Sequence, residues 1–394
     1  PFHMLRSLVG SEMCIRDSGY SALGSNTTGD YNTANGGRAL TSNTTGGANT
    51  ASGYKTLEQN TTGSYNTASG YQALEQNTTG ARNIAIGYQA YDDADTEDDN
   101  LAIGFAALGG SIAGGIKNIA IGNYSLDANT SGINNTAIGY NAMTTNIGGD
   151  KNTSIGFESL QANTEGNKNI AVGMYSMYAN TTASDNVAIG YESMKINTTG
   201  TRNIAIGSGA YDNADTEGNN IAIGYDALGG AINGGEYNVA LGNSSLDANT
   251  TGDYNVAVGD NALSANTTGN YNTATGAYAL VANTTGVNNT ALGLEALNEN
   301  NTPNGIRINN LCIGGIQGHV AGQKKQQKNF IKNYSKRCPL KRLGNPSEVI
   351  GATDALKKSD IKSTGTSGAI TISVPMHSSS SASRFFGIVP GING

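Results

Sequence analysis

The segment Asn83-Ile-Ala-Ile-Gly87 is the clearest copy of a pattern that recurs about every 17 residues between Gly19 and Asn300. From the second copy onward, an Asn stands four residues before each repeat glycine. From that same copy onward, an Ala stands two residues before each glycine, with Ser154 as the one exception; a Leu, Met or Tyr stands four residues after every repeat glycine. The repeat glycines occupy positions 19, 36, 53, 70, 87, 104, 122, 139, 156, 173, 190, 207, 224, 242, 259, 276 and 293.

This unit predicts one coil of a solenoid. The alternation of β-branched and small residues has a period of two, which indicates a strand, whereas runs such as Asn60-Thr-Thr-Gly63 are typical of turns. Seventeen residues can hold two short strands and two turns. Coils stacked about 4.8 Å apart would pair each strand with its equivalents above and below and build a continuous core. We therefore expect an all-β fold over 19–302, a parallel β-roll or β-solenoid of about seventeen coils.

Two columns of the predicted stack are structural candidates. The invariant Asn is interpreted as an amide ladder in which each side chain bonds to the next coil; a ligand-binding row is the alternative. The ladder comprises Asn83, Asn118, Asn135, Asn152, Asn169, Asn186, Asn203 and Asn238. The repeat glycines mark the same point of every coil, as at Gly87, Gly104, Gly122, Gly139, Gly156, Gly173, Gly190 and Gly207.

The two faces of each strand differ in side-chain size. We expect the large residues Ile84 and Ile86 to lie inside the coil together with Leu74 and its equivalents. The face made of Ala and Gly would then be free for close approach of another chain. This reasoning predicts an interchain contact through Ala171, Ala188 and Ala205 in a homo-oligomer, most simply a homotrimer. The alternative is that the alanines fill a narrow coil interior.

Charge and composition exclude several classes of function. Residues 19–302 contain 8 Lys and Arg against 25 Asp and Glu, a net charge of −17, which argues against nucleic-acid binding. The three His and three Cys all lie outside the repeats, so no cofactor, metal site or enzymatic activity is expected. No apolar run is long enough to predict a membrane segment.

Acidic inserts occur in two coils. Residues 83–132 recur 120 positions later as 203–252, and both copies carry an acidic run, at 91–99 and at 211–219. Calcium binding is one interpretation of these runs. Their carboxylates lack the EF-hand spacing, so a solvated turn is the favoured one.

The recurring Asn-x-Ala-x-Gly unit, with Asn135-Thr-Ala-Ile-Gly139 as a further example, resembles the YadA-like head repeat of trimeric autotransporter adhesins. It equally resembles repeats of phage and prophage tail fibres. The resemblance covers about 19–302 and implies a left-handed parallel β-roll in which three chains associate. The chain departs from the adhesin pattern in its 17-residue coils, which are longer than usual, and in lacking the neck, stalk and membrane barrel.

The segments outside the repeats have different characters. Residues 5–18 look like translated sequencing adapter, and 1–18 are therefore set apart from the fold; a short native capping segment is the alternative. Residues 303–352 resemble a C-terminal fragment of short-chain dehydrogenases, through the strand and Gly-Gly turn of 305–316 and the Pro-Leu-x-Arg segment at 339–342. The dinucleotide glycine motif and the Tyr-x-x-x-Lys pair of that family are absent, so no dehydrogenase activity is expected. The tail is expected to be unrelated to the repeats, in part α/β or disordered, with 353–394 unassigned.

These observations favour a structural and adhesive role. A rigid hydrophilic stack would suit the head of a bacterial surface adhesin that attaches to a surface, glycan or protein ligand, and would be extracellular. A virion tail fibre is the alternative, and ice or mineral binding by Thr-rich turns such as Thr61-Thr62 is a third.

Overall fold

The computed structural model describes residues 16–110, 113–299, 307–309, 361–363 and 370–372. Within these residues all regular structure is β, and each strand from β1 to β17 pairs in parallel with the strand of the next coil, one repeat further along the chain. The all-β solenoid predicted from the repeat is confirmed. The strands are Arg16–Ser18, Thr33–Asn35, Thr50–Ser52, Thr67–Ser69, Ile84–Ile86, Leu101–Ile103, Ile119–Ile121, Thr136–Ile138, Thr153–Ile155, Ile170–Val172, Val187–Ile189, Ile204–Ile206, Ile221–Ile223, Val239–Leu241, Val256–Val258, Thr273–Thr275, Asn289–Leu292 and Arg307–Asn309.

Among the described residues, each coil contains one strand, not the two expected. After the strand, Gly87 has a φ of 143°, and Gln89 and Tyr91 have φ values of 51° and 54°, in the left-handed region. Equivalent residues of the other coils share these conformations. An extended strand cannot form with left-handed residues at alternate positions, so this half of the coil runs as turns. Its backbone still bonds from coil to coil, as when Leu57 N donates to Ala73 O at 3.1 Å.

The core is built from alanines of the strands and leucines or methionines of the turns. Ala85 and Leu74 are both fully buried, whereas Ile84 and Ile86 are 39% and 41% exposed. The inward orientation predicted for the leucines is confirmed, and that predicted for the isoleucines is wrong. A 17-residue coil is narrow, so only a methyl group fits opposite the Leu column, and the alternate strand residues face outward.

The invariant Asn column links neighbouring coils. The Oδ1 atom of Asn152 accepts a hydrogen bond from Asn169 N at 2.9 Å, and its Nδ2 donates to Gly166 O at 2.8 Å. The same pattern joins Asn83 to the backbone of Asn100 and of Glu97. The predicted ladder is therefore present, but it bonds mainly side chain to backbone.

A second Asn column, in the Asn-Thr-Thr-Gly turns, forms the direct amide ladder. Asn60 Nδ2 donates to Asn43 Oδ1 at 2.7 Å, and Asn77 Nδ2 donates to Asn60 Oδ1 at 2.7 Å. Each of these side chains also donates to a glycine carbonyl three residues later in its own turn, as Asn60 does to Gly63. The sequence interpretation assigned these turns no ladder, although the same 17-residue spacing was visible there.

The repeat glycines lie where consecutive coils touch. A Cβ atom placed on Gly87 would lie 2.2 Å from the carbonyl oxygen of Gly104, and one on Gly190 would lie 2.3 Å from that of Gly207. Both glycines also have a strongly positive φ. No residue type other than glycine allows both this backbone conformation and this close approach of the next coil.

The chain divides into two compact units, 1–309 and 310–394. In the second unit the described residues form an antiparallel pair, β19 (Ile361–Ser363) with β20 (Ile370–Ile372). The dehydrogenase-like segment 303–352 lies outside the described residues except for 307–309. The adapter-like segment 5–18 lies outside them except for Arg16–Ser18, which pair with Thr33–Asn35.

Candidate interaction surface

The outer face of the parallel sheet is an exposed apolar stripe. From β5 to β15 the first and third residues of each strand are mostly Ile, Val or Leu, and they point away from the coil interior. Ile119, Ile170 and Ile189 are 38%, 41% and 38% exposed. Eleven coils of such residues form what we call the outer stripe. Equivalent residues of successive coils lie in straight columns because consecutive strands pair in register, as Ile170 pairs with Val187.

The stripe ends where the strand composition changes. In β2, β3 and β4 the outward positions are Thr, Asn or Ser, as in Thr50 and Ser52, and in β16 they are Thr273 and Thr275. The backbone geometry of these strands matches that of the apolar ones, with an Ala buried between the two outward residues. The apolar surface is therefore limited to the middle of the stack.

The predicted interchain alanine face is wrong. Ala171, Ala188 and Ala205 are fully buried within their own chain, where Ala188 pairs in register with both neighbours. A side chain with no exposed surface cannot contact another chain. The alternative considered at the sequence level, a narrow interior filled by methyl groups, describes these three residues.

Aromatic residues flank the outer stripe on one side. The residue after each repeat glycine is often Tyr or Phe, and the rings of Tyr71, Tyr88 and Phe105 stack at 5.0 and 5.3 Å with interplanar angles of 10° and 11°. These rings are 39–46% exposed. Stacking between coils covers their faces and leaves their edges outward, so this column widens the apolar surface beside the stripe.

The acidic inserts are integrated into the coils. In the first insert Tyr91 replaces the core leucine, and its hydroxyl accepts a hydrogen bond from Asn100 Nδ2 at 2.6 Å. Glu97 is buried, and its carboxylate accepts backbone N–H groups of Thr96 at 3.0 Å and of Gly114, in the next coil, at 3.0 Å. Tyr211 and Glu217 repeat this arrangement in the second insert. Both carboxylates therefore serve to hold the turn.

Two half-buried carboxyl groups in the inserts have raised pKa values. Burial, and secondarily the charge of Asp93, raises the pKa of Asp92 to about 7. Burial, and secondarily the charge of Asp226, raises the pKa of Asp212 to about 6. Both groups gain a proton near neutral pH, which reduces the negative charge of the surrounding surface.

A scan against protein-family models and a search of curated proteins found no match to this chain. Among the described residues, no helix has the length and apolar character needed to cross a bilayer. In the same part of the chain, no group of three or more His, Cys, Asp or Glu side chains is placed to hold a metal ion.

Proposed function

We propose that the repeat region is the rigid, adhesive head of an extracellular fibre, in which three copies of the chain associate through their outer stripes. The observation that supports this proposal is the mostly apolar outward face from β5 to β15, in which only Thr136 and Thr153 are polar. A soluble single chain seldom exposes a contiguous apolar patch of more than a few hundred square ångströms.

The size of the stripe is sufficient for a stable interface. Eleven coils at about 4.8 Å make it about 50 Å long, and with the flanking aromatic column it is about 15 Å wide. The resulting area is on the order of 800 Å² per chain; a ring of three divides it between two neighbours, and the three chains together bury about 2,400 Å², against about 1,600 Å² in a standard two-chain interface. Covering it removes water from branched aliphatic side chains, which is the dominant favourable term in association.

Association around an axis parallel to the stack suits this surface. The outer stripe has two columns, formed by the first and by the third residues of the strands. In a ring of three chains, each column therefore contacts one neighbour. Parallel chains in register keep apolar coils against apolar coils and leave the polar strands β2–β4 beyond the end of the contact. A head built this way is stiff, because every coil is hydrogen-bonded to the next and braced by two other chains.

The proposal is tested by changing the stripe and an equivalent position outside it. Ile189→Lys puts a charge in the middle of the stripe, and Ser52→Lys puts the same charge at the same strand position in β3, outside it. Sedimentation equilibrium of the full chain should give three times the chain mass for the unchanged protein and for Ser52→Lys. Ile189→Lys should shift the mass toward that of one chain while the β signal in circular dichroism is kept.

Two outcomes would contradict the proposal. One is an unchanged protein that sediments as a single chain at micromolar concentration. The other is an equal effect of the two lysines, which would mean that the outer stripe is not the surface that associates. Loss of attachment to surfaces by Ile189→Lys, with attachment kept by Ser52→Lys, would link the assembly to the adhesive role.

A further inference from the structure

In one column of tyrosines on the first coils, an alanine replaces the middle tyrosine, and this leaves a gap on the surface that we call the slot. Tyr31 and Tyr65 occupy the position directly before the invariant Asn in their coils, and Ala48 occupies it in the coil between them. The two rings are 61% and 68% exposed. All three residues have the same left-handed backbone conformation, with φ of 60°, 57° and 63°. The side chains of the two tyrosines therefore start from the same backbone conformation. Between them, the methyl group of Ala48 occupies the position of a third ring.

The same column shows what a complete ladder looks like. Near the other end of the stack Tyr237, Tyr254 and Tyr271 occupy three consecutive coils, and their rings stack at 4.8 and 5.2 Å with interplanar angles of 1° and 6°. Two rungs of the stack thus separate the outer rings by about 10 Å. Tyr31 and Tyr65 are two coils apart with Ala48 between them, and all three residues line an open surface pocket of about 290 Å³.

A second Tyr-small-Tyr arrangement in the molecule is closed. Tyr20, Gly37 and Tyr54 follow three consecutive repeat glycines, but a Cβ atom placed on Gly37 would lie 3.3 Å from the Tyr54 ring. The Tyr54 ring therefore leans over the gap. The cavity at Ala48 is open, which distinguishes it from this arrangement.

We infer that the slot between Tyr31 and Tyr65 binds one pyranose ring of a β-gluco-configured glycan. The inference deepens the adhesive function proposed above by naming a ligand class, and it rests on that proposal for its biological setting. A flat aromatic ring held between two others needs about 7 Å, since carbon atoms in contact lie about 3.5–4.0 Å apart. A puckered sugar ring with axial hydrogens on both faces needs about 8–9 Å by the same contact distance and so fills the gap better.

The configuration of the sugar follows from having a ring on each side. In β-glucopyranose units every substituent is equatorial, so both faces present only C–H groups to the tyrosines. A galacto-configured unit carries an axial hydroxyl and would place it against an aromatic face, where it would lose its hydrogen bonds to water.

The rim of the slot supplies the polar partners that equatorial hydroxyls need. Asp30, Thr28 and Thr45 line the pocket, and their side chains carry a carboxylate and two hydroxyl groups. Within the described residues these three side chains have no ion pair and make no hydrogen bond that the structure records. A carboxylate that accepts from two sugar hydroxyls forms hydrogen bonds stronger than neutral ones.

The floor of the slot offers little competition for the ligand. Ala48 N already donates to Asp30 O at 2.8 Å, and Gly47 N donates to Ser64 Oγ at 3.0 Å. The backbone N–H groups at the floor of the slot are thus already hydrogen-bonded to the neighbouring coils. Binding therefore depends on the two rings and the polar rim.

The slot is tested by calorimetric titration of the full chain with cellotetraose, using β-1,4-linked galactotetraose as the control sugar. For one stacked ring we expect a Kd of roughly 1 mM or somewhat below, given typical ligand efficiencies. Ala48→Tyr completes the ladder and fills the slot, and Tyr31→Ala removes one wall. Each should weaken cellotetraose binding at least tenfold, and galactotetraose should not bind.

A converse variant keeps the test informative if one of these substitutions disturbs the local fold. Tyr254→Ala removes the middle rung between Tyr237 and Tyr271 beside Glu236 and should create a second slot, which raises the stoichiometry from one toward two per chain. Failure of cellotetraose to bind the unchanged protein, unaltered binding by Ala48→Tyr, or binding of tryptamine in place of cellotetraose would overturn the inference.

The chain mass measured on the same sample separates this inference from the proposed assembly. A three-chain sample that does not bind cellotetraose overturns the slot alone. A single-chain sample that binds it overturns the assembly and supports the slot.

Discussion

Replacing Asn152 by Ala tests whether the invariant Asn column holds the stack together. The Asn152 side chain is 1% exposed and lies between two coils. Its removal leaves Asn169 N–H without the acceptor now at 2.9 Å. Gly166 O loses one donor but keeps a second, Asn163 Nδ2 at 3.1 Å, and Asn135 Oδ1 keeps the backbone N–H of residue 152.

The cost of this change follows from that inventory. One buried donor becomes fully unsatisfied, at about 1–3 kcal/mol, and two acceptors lose a shared partner, so we expect a loss of about 2 kcal/mol of stability. Asn167 provides a matched control in a neighbouring turn. Its Oδ1 accepts from Asp150 N at 2.7 Å, but the site is partly exposed, so water can replace the amide and Asn167→Ala should cost about 1 kcal/mol or less.

The assay is urea unfolding of the full chain followed by circular dichroism, with midpoints compared at equal slope. The stability of each coil in a repeat protein depends on its contacts with the adjacent coils. A defect in the middle of the stack should therefore lower the urea midpoint of the whole transition. Equal midpoints for the Asn152 and Asn167 variants would refute the reasoning, because they would show that bonds of the buried column are worth no more than those of an exposed turn.

Three further outcomes follow from the same geometry. Ala188→Leu inserts three carbon atoms into a filled interior, so the β signal in circular dichroism should fall and the urea midpoint should drop by roughly 1–3 kcal/mol or more in stability terms; a well-folded single chain with a full β signal would contradict this. Gly190→Ala places a Cβ atom 2.3 Å from Gly207 O at a φ of 143°, so it should cost more than about 1 kcal/mol in the same urea assay, and an unchanged midpoint would count against the glycine column. The folded-state pKa values of Asp92 and Asp212, about 7 and about 6, lie above the ordinary value of 3.8, so their ionisation disfavours the fold and stability should rise as the pH falls from 8 to 5; the variant Asp92→Asn with Asp212→Asn should flatten that rise in urea midpoints, and an identical slope in the variant would contradict the assignment.

Much of the fold could be predicted from the sequence because the repeat is nearly perfect. The 17-residue spacing fixed which residues share a column, and the period of two identified Ile84–Ile86 as a strand. What the period could not supply was which of its two faces points inward. Hydrophobicity alone favoured Ile84 inside, but the deciding quantity is the width of the coil, and in a 17-residue coil the Leu74 column leaves room opposite it for the methyl group of Ala85 only.

The candidate surface depended on the same choice of face. With Ala188 inside, the exposed apolar surface moves to Ile189 and its equivalents, on the opposite side of the same strand. The backbone conformations after Gly87 were equally hidden, since Gln89 and Tyr91 are not residues that usually signal a left-handed φ. The slot at Ala48 required both the column assignment and the knowledge that this column lies on the surface.

The in-and-out alternation of each strand is the central claim, because both the core and the contact surface depend on it. It is tested most directly by maleimide labelling of single cysteines at two adjacent positions of β3, Ala51→Cys and Ser52→Cys, in a chain whose native cysteines are replaced by Ser. This strand lies outside the outer stripe, so association does not protect it. We predict that the cysteine at position 52 is labelled rapidly in the native protein, whereas the one at position 51, where Ala is fully buried, is labelled only after unfolding in urea. Rapid labelling at position 51 with protection at position 52 would contradict the account, since it would place the alanines outside.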